Sequence, residues 1–337
     1  MTDRYSRQIL FREIGEEGQR AITQGRVAVM GMGALGTVIA NSLARAGVGY
    51  LRLIDRDYVE MSNLQRQILY DEDDAAQCLP KAVAAARHLK KVNSTIAIEP
   101  VVANINPATV VGLIRDVDIV LDGTDNLETR LTLNDACDQN GIPWIYGAAV
   151  ASFGTTMNII PGKTPCLRCL HKNAPPPGTL DTCSSAGVLG MITGIIGCLE
   201  SAEALKFLVG SETLNRGMRL VDVWHCATET IEILKDPECP TCGKHRYEYL
   251  DASAGTFATS LCGKGAFQVV PANTRKVDFI TLAARLQGSG QVSMNPFLLR
   301  FSSDKLEITV FSDGRAIIKG AASADAAKSI YAEYIGL

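Results

Sequence analysis

Three groups of residues in this 337-residue chain have types and spacings that can do chemistry. The first is the apolar run Val27-Ala-Val-Met-Gly-Met-Gly-Ala-Leu-Gly36, which ends in Gly31-x-Gly33-x-x-Gly36. Glycines at this spacing let backbone N–H groups approach phosphate, and the N-terminus of a following helix favours the negative charge. Asp55 stands about twenty residues further on, where a ribose-binding acid is expected. NAD and ATP both satisfy this pattern, and a tight turn with no ligand is the bland alternative. The second group bears on that choice: Ser62-Asn-Leu-Gln-Arg66-Gln67, Lys81 behind Pro80, and Asp125 in Gly123-Thr-Asp-Asn126. Arginine can grip phosphate oxygens bidentately, and a lysine at a helix start can reach the same phosphates. An acid beside a triphosphate is a natural magnesium ligand. Taken singly, Arg66 and Lys81 read more readily as solvated surface charge, and Asp125 reads at least as readily as a cap on the next helix.

The third group is sulfur. Two pairs, Cys166-x-x-Cys169 and Cys239-x-x-Cys242, have the spacing of metal knuckles, and four thiolates suit tetrahedral zinc. Such a site would be structural, because four sulfurs leave no open position, and it would staple two distant segments. A thioredoxin-like redox role lacks its usual context. Cys183, in Asp181-Thr-Cys-Ser-Ser-Ala186, lies between a proline-rich loop and a long apolar helix. A thiol at a helix N-terminus can become nucleophilic, and a small buried hydrophobe is the alternative.

The elements that must position these residues follow from periodicity. Residues 3 to 24 read as an amphipathic helix, and Val27 to Met30 as a buried parallel strand. A helix over Ala34 to Ala46 and a strand over Tyr50 to Asp55 complete a βαβ unit. The alternation continues with helix Lys81 to Val92, strand Ile96 to Val102, helix Pro107 to Arg115, strand Asp118 to Asp122, helix Thr129 to Asn140 and strand Pro143 to Ala148. This order implies an α/β, Rossmann-like doubly wound sheet. Shorter β-like runs follow to Leu170, then a long apolar helix over Ser185 to Val209 and a hairpin of Met218 to Val223 with Thr230 to Leu234. A linker near Asp251 separates a first domain, 1–250, from a small α+β domain, 256–337. The second is read as strand, helix, three strands and helix, with Ser312-Asp-Gly-Arg315 as a hairpin turn.

Composition excludes several classes. A formal charge of −3 supplies no broad basic face for nucleic acid. The most membrane-like run, Ala186 to Leu199, falls short of the ~20 apolar residues a bilayer needs. The N-terminus lacks a signal-peptide core. Ten cysteines without an export signal point to a reducing, cytoplasmic setting.

Taken together, Arg4-Tyr-Ser-Arg-Gln8, Gly31-x-Gly-x-x-Gly36, Leu53-Ile-Asp55, Ser62-Asn-Leu-Gln-Arg66, Pro80-Lys81, Thr124-Asp-Asn126, both cysteine pairs and Thr182-Cys-Ser-Ser-Ala-Gly187 resemble the ubiquitin-activating-enzyme-like superfamily in its ThiF/MoeB/HesA branch. The matches run in family order over roughly residues 3 to 245 and outweigh the single-residue alternatives. The resemblance implies a homodimer that binds MgATP and adenylates the C-terminal glycine of a small ubiquitin-like sulfur carrier ending in Gly-Gly, in thiamine or molybdopterin synthesis. It implies that the Gly31, Gly33, Ala34 and Gly36 backbone cradles phosphate and that Asp55 holds ribose. Ser62, Asn63, Arg66 and Lys81 would hold phosphates, with Asn126 beside them, and Asp125 would bind magnesium. Arg7 would reach the partner subunit's triphosphate. Cys183 would form a covalent sulfur link to the carrier, with a sulfurtransferase or cysteine desulfurase as a further partner. Ala34 stands where many relatives have glycine, the stretch from Arg66 to Lys81 is longer than usual, and the C-terminal domain lies outside the minimal enzyme. That domain could be ubiquitin-like. Its end, Ile335-Gly-Leu337, lacks the Gly-Gly of a fused carrier, which suggests a docking or oligomer-supporting role. The competing readings are an NAD-dependent oxidoreductase and a non-catalytic zinc-stabilised scaffold for a ubiquitin-like partner.

Overall fold

The computed structural model describes residues 3–171, 185–251, 257–261, 265–271, 276–303 and 305–336. The chain divides into two compact units, Met1–Ala252 and Ser253–Leu337. In the first unit, eight strands form one sheet: β1 Arg26–Met30, β2 Tyr50–Asp55, β3 Ala97–Val102, β4 Ile119–Asp122, β5 Trp144–Val150, β6 Phe153–Ile159, β7 Met218–Asp222 and β8 Ala227–Ile231. Their order is β3-β2-β1-β4-β5-β6-β7-β8. The first five are parallel, with Val29 of β1 paired to Leu53 on one side and Leu121 on the other. The last three continue the sheet antiparallel. Val27, Ala28, Val29 and Met30 are fully buried, as expected of a central strand covered on both faces. Strand order reverses between β1 and β4, so the crevice at their carboxyl ends is where a doubly wound sheet binds ligand.

Most expected elements form where their terminators stand. The helix Ala34–Ala46 stops at Gly47, whose left-handed φ of 86° closes it. The helix Leu127–Asn140 stops the same way at Gly141. Four expectations need correction. The helix read over Pro107 to Arg115 forms only over Val110–Ile114. Residues 3–24 form two short helices, Ser6–Ile9 and Gly15–Gln24, parted by a turn that reaches a left-handed Gly15 at φ 58°. The long helix begins at Gly190 and ends at Leu208. Just ahead of it the backbone pairs across to the β5–β6 turn, with Leu189 N donating to Ala151 O (2.9 Å) and Ala151 N to Gly187 O (2.8 Å). The last strand of the hairpin starts three residues earlier than expected, because the Asp222 carboxylate accepts from the backbone of Trp224 and His225 and tightens the turn.

The second unit carries two strands more than its sequence suggests. These are β9 Phe257–Leu261, β10 Ala266–Val270, β11 Gln291–Met294, β12 Leu298–Ser302, β13 Glu307–Phe311 and β14 Ala316–Lys319. All pairings are antiparallel, in the order β11-β12-β13-β14-β10-β9. The Asp-Gly turn closes β13 onto β14 as expected, with Gly314 at φ 88°. The helices Phe279–Leu286 and Ala324–Tyr334 are capped by Asp278 and Ser323 and bury Leu282, Leu286 and Tyr331 in one core with Leu299, Phe301 and Ile308.

Candidate nucleotide site and cysteine centre

The crevice is built where the loops after β1 and β4 touch. Gly31 takes a left-handed φ of 92°, and a Cβ there would lie 2.6 Å from Gly123 O. A Cβ on Gly36 would lie 1.8 Å from Gly31 O, so this glycine lets the helix back onto its own loop. Gly33 differs: a Cβ there would meet only Gly123 O, at 3.7 Å. The fold therefore does not require glycine at 33, and the space beside it is open. Gly33 is also the N-cap of the helix Ala34–Ala46 and supplies no side chain to its first N–H groups, the arrangement that receives phosphate.

Asp55 ends β2 and is buried. Its Oδ2 accepts from Met32 N (2.7 Å) and its Oδ1 from Asp57 N (2.7 Å). Burial raises its carboxyl above the ordinary range, with neighbouring Asp57 adding to the effect and Lys81 opposing it. Lys81 opens the helix Lys81–Val92 and is buried, with Nζ 3.8 Å from Asp57 Oδ2. The glycine loop, Asp55 and Lys81 are thus linked through Asp57. Asn63 is buried and closes a capping box with Glu60, accepting its N–H at 3.0 Å. Ser62 is exposed and its carbonyl accepts from the Arg66 guanidinium (3.0 Å). Arg66 is half-buried beside Gly190, the first residue of the long helix, where a Cβ would come within 3.6 Å of Arg66 Cα.

Asp125 is exposed just past the carboxyl end of β4. It does not cap the next helix. Asn126 does, accepting from Thr129 N at 2.8 Å, so that side chain is engaged in the fold. The turn carrying Asp125 is fixed from beneath by two residues that sequence reasoning passed over. Buried Asp122 accepts from Thr124 N and Oγ1 (2.8 and 2.7 Å), and from Arg130 Nε (2.8 Å). Arg130 also donates to Thr124 O and Gly147 O. Burial works against the Arg130 charge, yet the Asp122 carboxylate, with Tyr146 and Asp125 adding to it, more than offsets burial and keeps the guanidinium protonated. Glu200, fully buried on the long helix, packs its carboxyl against Gly147. Burial, then the Asp122 charge, push it well above the ordinary carboxyl range, with Arg130 partly opposing. The only sequence signal for this cluster was an acid closing an otherwise apolar strand.

Arg7 stands apart from the crevice. Its exposed helix, Ser6–Ile9, sits at the far ends of the helices whose N-termini face the site: Gln8 donates to Ala46 O and Asn93 to the Tyr5 hydroxyl. The helix Ala34–Ala46 has 13 residues, which separates Arg7 from the glycine loop by about 20 Å. Cys183 lies outside the described residues.

Cys166, Cys169, Cys239 and Cys242 converge, with all four sulfurs within 4.8 Å of one another. Cys166–Cys239 and Cys169–Cys242 stand at 3.5 and 3.4 Å. Tetrahedral zinc with Zn–S near ~2.3 Å needs sulfurs about 3.8 Å apart, so the set fits such a metal. The knuckles are anchored on the helix Leu127–Asn140: Asn134 Oδ1 accepts from Leu167 N (2.8 Å), and Asp135 from Thr241 Oγ1 (2.6 Å) and Tyr249 N (3.0 Å).

Comparison with known proteins agrees with this architecture. The ThiF family model matches residues 5–241. The chain is 42% identical to the sulfur carrier protein ThiS adenylyltransferase of Bacillus subtilis over 339 aligned positions, covering all of both chains. It is 40% identical to the SAMP-activating enzyme E1 of Haloferax volcanii over 72% of this chain and 89% of that one. It is 35% identical to a sulfur carrier protein adenylyltransferase of Thermus thermophilus, over 72% and 90%. Among solved structures, Escherichia coli MccB shares the fold, with a TM-score of 0.64 at 24% identity over 72% of this chain and 76% of that one. With the family match spanning residues 5–241, most of the chain, and a full-length relative at 42% identity, this protein belongs to the ThiF family.

Proposed function

We propose that this chain is an ATP-dependent adenylyltransferase that activates the C-terminal Gly-Gly carboxylate of a small ubiquitin-like sulfur carrier and releases pyrophosphate. The observation that carries the reading is the open space at Gly33, flanked by uncapped helix N–H groups, with buried Lys81 and Asp55 joined beside it through Asp57. A dehydrogenase has no need of a lysine there, whereas a triphosphate does. The carrier carboxylate, ionised at neutral pH, attacks the α-phosphorus; the bond to the bridging oxygen breaks and pyrophosphate leaves. Catalysis is positioning and charge neutralisation, which the glycine-loop backbone, Lys81 and Arg66 supply. Asp125, exposed at the end of β4, would hold magnesium, which would neutralise further phosphate charge.

The full-length match to a ThiS adenylyltransferase, C-terminal unit included, favours a thiamine-type carrier over a molybdopterin-type one. A homodimer is supported by an apolar stripe on the long helix. Met191 (70% exposed), Ile195 (41%) and exposed Cys198 follow one another at helical spacing, beside Leu189 and next to Arg66. A second copy would cover this face and bring its Arg7 to the triphosphate. Cys183 would take the carrier in a later sulfur step, served by a sulfurtransferase or desulfurase. The four cysteines would hold zinc. Carrier-dependent exchange of labelled pyrophosphate into ATP, run with a thiamine-type and a molybdopterin-type carrier, tests the reading. Tight carrier binding without exchange would favour a scaffold, and NADH binding without ATP binding a dehydrogenase.

A further inference from the structure

Five residues around the crevice form a closed hydrogen-bonded circuit. Asp55 Oδ2 accepts from Met32 N, in the middle of the glycine loop. Met32 O accepts from the Tyr70 hydroxyl at 2.8 Å. The same hydroxyl lies 3.2 Å from Lys81 O. Lys81 N donates to Asp57 O at 2.9 Å, and Asp57 N returns to Asp55 Oδ1 at 2.7 Å. The other links join the end of β2 to the glycine loop and to the start of the lysine helix, each through Asp55 or Asp57. Tyr70 alone spans from the glycine loop to the start of the lysine helix. It is buried, and it comes from the stretch between Arg66 and Lys81.

We propose that Tyr70 is a positioning residue of the nucleotide site, whose hydroxyl sets the glycine loop and the Lys81 helix at the separation a triphosphate requires. This rests on the ATP reading above. Met32 lies between Gly31, which packs on Gly123, and Gly33, which borders the open space, and its backbone is held on both sides: N–H by Asp55, C=O by Tyr70. With that carbonyl turned to the phenol, it does not face the phosphate side of the loop, where a carbonyl would repel the ligand. Lys81 is held likewise, its own peptide N–H on Asp57 and its C=O near the phenol, so its ammonium has a fixed origin. Burial, and the nearby Asp55 and Asp74 charges, keep the phenol protonated and therefore a donor.

The test is Tyr70→Phe in the full chain, which keeps the ring and removes only the hydroxyl. One lost hydrogen bond is worth about a fivefold effect or more. The KM for ATP in carrier-dependent exchange is expected to rise about 5- to 10-fold, with the KM for the carrier unchanged. Calorimetric affinity for tripolyphosphate, which needs neither carrier nor turnover, should fall by a similar factor. Unchanged ATP KM and tripolyphosphate affinity would overturn the proposal. So would equal rises in the KM for ATP and for carrier together with a lowered melting temperature, because a merely structural hydroxyl would loosen both sites alike. Should Y70F fold poorly, Tyr70→Trp, which keeps a ring and an N–H donor, is expected to retain tripolyphosphate binding better than Tyr70→Leu; equal loss in both would also overturn it. Lys81→Ala serves as the control on the underlying reading: native ATP affinity in that variant would refute ATP binding at this wall whatever Tyr70 does.

Discussion

At the scale of single residues, the three loop glycines do different work, and substitution separates them. Gly36→Ala puts a methyl group 1.8 Å from Gly31 O and must displace the loop or the helix, so a loss of several kcal/mol is expected in denaturant unfolding, in keeping with backbone clashes that cannot relax. Gly33→Ala meets nothing closer than 3.7 Å and should unfold like the parent, yet bind ATP at least tenfold more weakly in calorimetry. Asp125→Ala is expected to leave the melting temperature within a degree or two, since Asn126 and Asp122 fix the turn, while abolishing pyrophosphate exchange. Near-native exchange would remove Asp125 from magnesium binding. The motif residues were legible in sequence because each needs a particular chemistry at a particular spacing. Which of Asp125 and Asn126 caps the helix was not: both are cap formers, and only φ/ψ at the junction decides. Tyr70 was equally silent, because a tyrosine that buries its ring gives no sign of where its hydroxyl goes.

At the scale of elements, the parallel half of the sheet was readable where strands are short apolar runs that meet a glycine or proline, as β1 at Gly31, β4 at Gly123 and β5 behind Pro143. The start of the long helix was not, since residues 187–189 spend their backbone on Ala151, a partner far away in sequence. That helix also carries Glu200, and its carboxyl gives the element a pH signature. A carboxyl whose folded pKa is raised holds its proton more tightly folded than unfolded. Its contribution is complete below the ordinary carboxyl pKa and is lost as pH rises through the folded value. Glu200→Gln removes that titration. Comparing variant with parent, the melting-temperature difference should be smallest near pH 4 and shift in the variant's favour toward pH 8. A difference that stays flat with pH would mean that Glu200 is not carried protonated into the native core.

At the scale of the whole molecule, the two units differ in what the sequence disclosed. The first showed its order and its ligand edge, through alternation of strand and helix. The second showed its Asp-Gly hairpin but hid two strands, which are short and, like exposed Gln291–Met294, carry polar residues without strong alternation. Among the described residues no helix is long and apolar enough to cross a membrane. The cysteine centre acts at this scale too. If it holds a structural metal, chelation at neutral pH should lower the melting temperature by several degrees and release one equivalent of zinc per chain, read with a chromophoric chelator. A chelator that changes neither would leave the four sulfurs without a metal role. A metal there would also alter the connectivity of the chain. Cys166 and Cys239 lie 73 residues apart, so a bound ion closes a ring containing the segment before the long helix, that helix, β7 and β8. Closing a ring of that size in the unfolded chain is worth about 4 kcal/mol by analogy with a disulfide. One cut anywhere inside the ring would leave two fragments joined by the ion as well as by the sheet, so stripping the metal should lower the melting temperature of a nicked chain further than that of an intact one.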